Sequence, residues 1–280
     1  MPNHLQDTVK LNNGVEMPWF GLGVWQVQDG DEVLSSVKTA IRHGYRSIDT
    51  AAAYKNEEGV GQAIREALEE NGLKREELFI TTKVWNADQG YESTLAAIDA
   101  SLSKLGLEYV DLYLIHWPVK GKYKETWKAL EKIYQDGKAK AIGVCNFHVH
   151  HLEDLMEDAK VIPALNQIEL HPYLSQKEIR DFCAKKGIAV EAWSPLAQGK
   201  VVKDETIKAI GDKYGKTAAQ IVLRWDLQNS IITIPKSVHE ERIVGNADVF
   251  NFELSPEDMA AIDSLNLNER TGPDPDNFNF

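Results

Sequence analysis

A chain of 280 residues, 43% hydrophobic and 26% charged, has the composition of an ordinary folded protein and enough length to bury a substantial core. Its net charge of -12 argues against nucleic acid or an anionic membrane surface as the main partner. Two cysteines, Cys145 and Cys183, form no CxxC pair, and no His/Cys cluster has zinc spacing, so neither a disulfide framework nor a metal site is expected. The N-terminus "MPNHLQDTVKLNNG" has no apolar signal core, and no run approaches the roughly 18 residues of a transmembrane helix. These features predict a cytoplasmic protein.

In chain order, the first element is a hairpin over 8–20, where Asn13-Gly14 between short apolar runs carries the signal of a two-residue turn. Short apolar segments then recur at 21–25, 45–51, 78–85, 110–117, 139–147, 164–170, 188–196 and 230–237. Amphipathic stretches lie between them, among them "DEVLSSVKTAIRHG", "NEEGVGQAIREALEENG" and "YESTLAAIDASLSKLG". Their apolar residues fall three and four apart and they end in glycine, as helices do. No linker or composition break interrupts the series, so one domain over 1–280 is expected. Strands alternating with helices pair in parallel, and eight such units predict an α/β fold, a (β/α)8 TIM barrel. An open doubly wound sheet is the rival. Against it, "GLGVWQ" has two glycines of a dinucleotide fingerprint but lacks the third and leads into no helix.

In such a barrel the chemistry sits where the strands end. The second apolar segment ends in Asp49 with Tyr54 beyond it, the third near Lys83 in "ITTKVW", and the fourth at His116. A lysine inside an apolar strand needs a partner, because its ammonium is costly to desolvate alone. Asp49 is the expected one. A cation about 4 Å from a tyrosine, at an effective dielectric of about 20, favours the phenolate by ~4 kcal/mol, so Lys83 is expected to lower the Tyr54 pKa. His116 is placed to orient a substrate oxygen. With no nucleophile in the group, the arrangement suits carbonyl–alcohol interconversion with hydride from a bound cofactor. A Schiff-base role for Lys83 is the alternative, opposed by Asp49, which keeps the amine charged.

The later strand ends supply a place for that cofactor. Asn146 and Gln167 can bond a carboxamide, Trp193 can stack on a flat ring, and Ser194 follows it. Lys236, Ser237 and Arg242 stand around a predicted helix start after the eighth strand, where a phosphate dianion would be held. Such a dianion distinguishes NADP from NAD.

The landmarks "GYRSIDTAAAYKNEEGVGQAI", "ITTKVW", "VDLYLIHWP", "GVCNF", "NQIELHP", "AWSPL" and "IPKS", in this order, resemble the aldo-keto reductase superfamily over nearly the whole chain. The resemblance is to its bacterial diketogluconate reductase and glyoxal/methylglyoxal reductase branch. It implies NADPH (NADP+) as cofactor and a catalytic set of Asp49, Tyr54, Lys83 and His116, with Tyr54 as proton donor in reduction. For the cofactor it implies Trp25, Asp49, Cys145, Asn146, Gln167, Trp193, Ser194, Leu196, Lys236, Ser237, Arg242 and Asn246. For a small carbonyl substrate it implies Trp25, Tyr54, His116 and Trp117, with the tail 268–280 near the pocket and a monomeric chain. Two positions depart from the family pattern. Cys145 stands where a serine is usual, and Gly245 precedes Asn246 where an acidic residue is common. The short "PVKGKYKE" loop and short tail predict an open pocket taking aldehydes and small dicarbonyls. A channel-subunit-like role, binding NADPH with little turnover, is the second functional alternative.

Overall fold

The computed structural model describes residues 1–280. Eight strands form one all-parallel sheet: β3 (Leu22–Gly23), β4 (Ser47–Asp49), β5 (Phe79–Val84), β6 (Val110–Ile115), β7 (Ala139–Cys145), β8 (Leu165–Glu169), β9 (Ala189–Trp193) and β10 (Ile232–Thr233). Each pairs with its sequence neighbour, as right-handed crossover helices dictate. The edges meet through a parallel bridge between Phe20 and Thr233, with Gly21 N–H to the Thr233 carbonyl at 3.0 Å, so the sheet closes into the expected (β/α)8 barrel. The first and last strands are two residues long, much shorter than the apolar runs 21–25 and 230–237.

Helices α1 (Asp31–Arg42), α2 (Glu57–Asn71), α3 (Tyr91–Leu105), α4 (Tyr123–Gln135), α5 (Val149–Asp158) and α6 (Lys177–Lys186) follow β3 to β8 in turn. Both α7 (Glu205–Tyr214) and α8 (Ala218–Gln228) lie between β9 and β10, and α9 (Glu240–Ala247) and α10 (Pro256–Asp263) follow β10. The glycines closing α2 and α3, Gly72 and Gly106, adopt the left-handed conformation that terminates a helix.

The N-terminal hairpin pairs β1 (Thr8–Lys10) with β2 (Glu16–Pro18). Its turn is not the expected two-residue type. Leu11 and Val15 bond across a three-residue loop, Asn12–Gly14, in which Gly14 alone has positive φ, at 89°.

Strand alternation separates two apolar layers. On β5, Ile80 and Val84 point outward into a 54-residue core shared with the helices. Phe79 points inward and joins Leu112, Leu114, Ala141 and Leu165, capped at the barrel floor by Leu11 and Met17 of the hairpin. The same two-residue period carries Lys83 inward from Phe79, Gln167 and Glu169 inward from Leu165, and Glu191 and Trp193 inward from Ala189. The upper barrel is therefore polar and the lower barrel apolar.

Close approach of α2 to α3 depends on Gly61, where an added Cβ would lie 2.2 Å from the Leu105 carbonyl oxygen. Gly61→Ala is expected to destabilise the chain by about 1–3 kcal/mol, read as a lower urea midpoint. An unchanged midpoint would mean that the two helices separate freely.

Candidate active site

Lys83 is fully buried and uses all three of its N–H donors. Its Nζ lies 2.6 Å from Asp49 Oδ1, 2.9 Å from the Thr50 carbonyl and 3.3 Å from the Tyr54 hydroxyl. Asp49 ends β4 and points inward beside β5, while Tyr54 closes the short helical turn Ala52–Tyr54 that follows. The four residues expected at the strand ends therefore meet, with the His116 ring edge-on to Tyr54 at a centroid distance of 5.7 Å. Burial alone would strip the lysine of its proton, but the Asp49 carboxylate holds its pKa above the ordinary value. An amine paired with Asp49 at 2.6 Å is held charged and is a poor nucleophile, which argues against the Schiff-base alternative.

The expected lowering of the Tyr54 pKa is not what the structure shows. Dense protein around the hydroxyl pushes it above the usual value, and Lys83 offsets only part of that rise, with Asp49 adding to it. Desolvation of a phenolate at this depth outweighs one cation that is already paired with a carboxylate. His116 is held well below the usual imidazole pKa, first by burial and then by Lys83, so the ring is neutral. Its buried Nδ1 has no protein partner.

A second polar layer supports the first. Gln167 Nε2 donates to Asp49 Oδ2 at 2.8 Å and to Glu191 Oε2 at 2.7 Å. Glu191 was not anticipated, although "EAW" places a carboxylate inside an apolar strand just as "TKV" places a lysine, and the same reasoning would have found it. Burial and the nearby Asp49 charge push its pKa up to about 8, so it is a neutral acid. Cys145 faces the same layer, its thiol 3.6 Å from Gln167 Oε1 and 3.2 Å from Asn146 Nδ2, and burial pushes its pKa upward, leaving an inert thiol. Asn146 Nδ2 also donates to the His116 carbonyl at 3.0 Å, and Asn146 Oδ1 accepts from the Trp193 indole at 2.8 Å. Asn146 and Ser194 both adopt positive φ, 65° and 51°, a conformation non-glycine residues hold only where the surroundings impose it. The amides of Asn146 and Gln167 thus bind the barrel wall itself, tying β6, β7, β8 and β9 together, whatever else they contact.

The residues expected for a phosphate lie apart from this centre. Lys236 and Arg242 are exposed and neither pairs with a carboxylate, while Ser237 is buried and accepts from the His239 N–H at 3.2 Å. Of the two acidic residues opening α9, Glu240 is already held by Arg42 and His43 at 2.8 and 2.9 Å. Two free cations at a helix start fit a phosphate dianion. Asn246 is buried one turn after Arg242, and a Cβ on Gly245 would meet nothing within 4 Å, so space does not impose the glycine there. Leu196 is half-buried after β9, and Trp25 stands 44% exposed at the rim.

The open pocket expected from short loops is corrected by the tail. Phe280 stacks on Trp85 with ring centroids 5.8 Å apart and planes 4° off parallel, and both Phe278 and Phe280 contact Trp117 at 5.2 Å. The Asn86 side chain donates to the Phe280 carbonyl at 3.0 Å, and Glu169 accepts from the Thr271 and Gly272 amides. Two aromatic residues in the last three, "FNF", were the available signal for this cover.

The sequence profile of the Aldo/keto reductase family matches residues 20–267, the span that carries the barrel and this quartet. The chain is 62% identical over its full length, and over the full length of the relative, to a glyoxal reductase of Bacillus subtilis (strain 168). It is 48% identical to the methylglyoxal reductase DkgA of Escherichia coli (strain K12), over 96% of this chain and 97% of that one. Among solved structures, the Gox0644 D53A mutant in complex with NADPH superposes with a TM-score of 0.92 at 46% identity, over 98% of this chain and 99% of that one. The chain belongs to the aldo/keto reductase family and is an oxidoreductase.

Glu191 gives this site a signature in stability. Its folded pKa of about 8 lies above the ordinary value of 4.5, so the folded chain holds a proton that the unfolded chain releases between those values. Its contribution therefore falls as pH rises from about 4.5 to about 8 and is flat above. Glu191→Gln should remove that slope, so urea midpoints of wild type and variant should diverge between pH 5 and pH 8 in the variant's favour. Parallel midpoints across this range would mean Glu191 is ionised throughout.

Proposed function

We propose that this chain reduces small aldehydes and dicarbonyls, of the glyoxal, methylglyoxal or diketogluconate kind, to alcohols with NADPH, using Tyr54 as the proton donor. The observation that carries the reading is the Lys83 ammonium shared between Asp49 at 2.6 Å and the Tyr54 hydroxyl at 3.3 Å. The similarity to a glyoxal reductase and a methylglyoxal reductase, and to structures solved with NADPH or NADP, supports the substrate class and the cofactor. The unpaired Lys236 and Arg242, with Ser237, would hold the 2′-phosphate, and Trp193 would lie by the nicotinamide. Bound NADPH supplies the hydride.

The chain's own residues supply the rest. Reduction adds a hydride to the carbonyl carbon and a proton to its oxygen, and Tyr54, neutral at working pH, gives that proton. The phenolate left behind gains the full attraction of Lys83, which is kept charged by Asp49 and needs no movement to provide it. Because the cation stays in place throughout, its interaction is stronger in the product-like state than in the ground state, which is the condition for lowering a barrier. His116, neutral, donates one N–H to the carbonyl oxygen and aligns it with the tyrosine. Trp25 and Trp117 flank the pocket.

Loss of NADPH absorbance with methylglyoxal, followed for wild type beside Tyr54→Phe, tests this. The variant should lose at least about a hundredfold in kcat while keeping cofactor affinity. Equal rates would remove Tyr54 from the chemistry, and tight cofactor binding without turnover in either protein would point to a sensor instead. Lys83→Met should cost a similar factor, with the loss shared between kcat and kcat/KM, since the interaction acts on the transition state.

A further inference from the structure

Three histidines at the β7–α5 junction and one carboxylate from the tail converge outside the pocket. The ligand atoms of His148, His150, His151 and Asp276 all lie within 4.8 Å of one another. Asp276 Oδ1 is 2.7 Å from His150 Nε2 and 3.4 Å from His151 Nε2, while Oδ2 is 2.9 Å from His148 Nδ1. Nothing in the reductase chemistry uses these residues. They come from positions more than a hundred apart in the chain, so only folding assembles them.

We infer that His150 Nε2, His151 Nε2 and Asp276 form a binding site for a divalent transition-metal ion of the zinc class, which staples the tail over the pocket. Two imidazole nitrogens and one carboxylate suit such an ion better than magnesium or calcium, which prefer oxygen alone. Ligands on a tetrahedral ion at about 2.0–2.1 Å lie roughly 3.3 Å from one another, against 2.7 and 3.4 Å from Asp276 Oδ1 to the two imidazole nitrogens, so small side-chain shifts would seat an ion. The fourth position opens to solvent, because the His150 side chain is 62% exposed.

His148 takes a different role. The Arg270 guanidinium donates to its Nε2 at 2.8 Å, so its proton sits on Nδ1 and points at Asp276 Oδ2. It therefore holds the carboxylate from behind, as a carboxylate-bound histidine does beside many metal ions, and does not ligate. Arg270 also faces Glu169, 4.0 Å away, which offsets part of its repulsion toward a cation. Binding has a cost at His151, whose Nδ1 accepts from the His148 amide at 3.1 Å and must take up the proton that leaves Nε2. The helix cap and the ion thus compete for one ring. Asp276 stands two residues before Phe278 and four before Phe280, the residues that cover Trp117 and Trp85, so an ion at this point fixes the cover.

The test uses tag-free protein freed of metal by chelation. Calorimetry with Zn2+ should show one ion per chain, and Co2+ should develop visible ligand-field absorption. His150→Ala and Asp276→Asn should each weaken Zn2+ uptake at least about tenfold, and His148→Gln should weaken it about as much without abolishing it. His43→Gln, at an unrelated surface pair, should change nothing. A serine carboxypeptidase should release Phe280 severalfold more slowly when Zn2+ is present, in wild type but not in His150→Ala. No uptake by wild type, or uptake unchanged in both His150→Ala and Asp276→Asn, overturns the site. Uptake without protection of Phe280 overturns the staple. Neither readout depends on turnover, so the site and the reductase reading fail separately.

Discussion

A lysine ammonium with no exposure to solvent is the constraint around which the barrel's upper half is built. Such a charge is tolerable only with a counter-ion and saturated donors, and Asp49 with Thr50 supplies both. Asp49 in turn needs its other oxygen satisfied, which Gln167 does from the far side of the barrel. Gln167 reaches Glu191 with the same nitrogen, and there the account of charge closes. A second buried carboxylate beside Asp49 would leave the interior negative, so Glu191 keeps its proton. One cation and one anion remain among five titratable groups. His116, Tyr54 and Glu191 are neutral.

The arrangement explains why the inner residues climb from apolar to polar along β5, β6 and β8. Leu112 and Leu114 on β6 precede His116 just past its end, and Leu165 precedes Gln167 on β8. The hairpin shields the lower layer with Leu11 and Met17, keeping water from the floor beneath Lys83. An apolar, buried floor makes the Lys83–Tyr54 interaction stronger than the same pair would be at a surface. The two apolar layers therefore have different duties. The outer one holds helices to strands, and the inner one sets the medium in which the charges act.

Much of this was legible in the sequence because a buried charge breaks the apolar pattern of a strand. Lys83 stands out that way, Asp49 follows as the partner offered by the neighbouring strand end, and Glu191 was open to the same reasoning as Lys83. The alternation of strand and helix was equally plain, since the two longest helices, α2 and α3, end in the glycines Gly72 and Gly106. Other features leave no local trace. Barrel closure rests on a single bridge from Phe20 to Thr233, where apolar runs of five and eight residues yield strands of only two. The turn at Asn12–Gly14 differs from a two-residue hairpin by one residue, a distinction set by strand register and not by the Asn-Gly pair. Tyr54's pKa depends on the sum of burial and two opposed charges, and only coordinates give that sum. The meeting of His150 with Asp276 is a tertiary event, invisible to any spacing rule.

The raised Tyr54 pKa also bears on direction. In the proposed reaction, a phenol that stays protonated at neutral pH is ready to donate without prior titration, so reduction of a carbonyl would begin from the dominant ionisation state. Oxidation of an alcohol needs the phenolate as base, a state that burial disfavours here and that Lys83 only partly recovers. An acid whose proton is tightly held also gives it up only to a strongly basic oxygen. The carbonyl oxygen acquires that basicity as hydride arrives at carbon, and at no earlier point. The proposed mechanism thereby ties proton transfer to hydride transfer, and the buried ion pair that makes Lys83 tolerable is the same device that would stabilise the phenolate when the proton leaves.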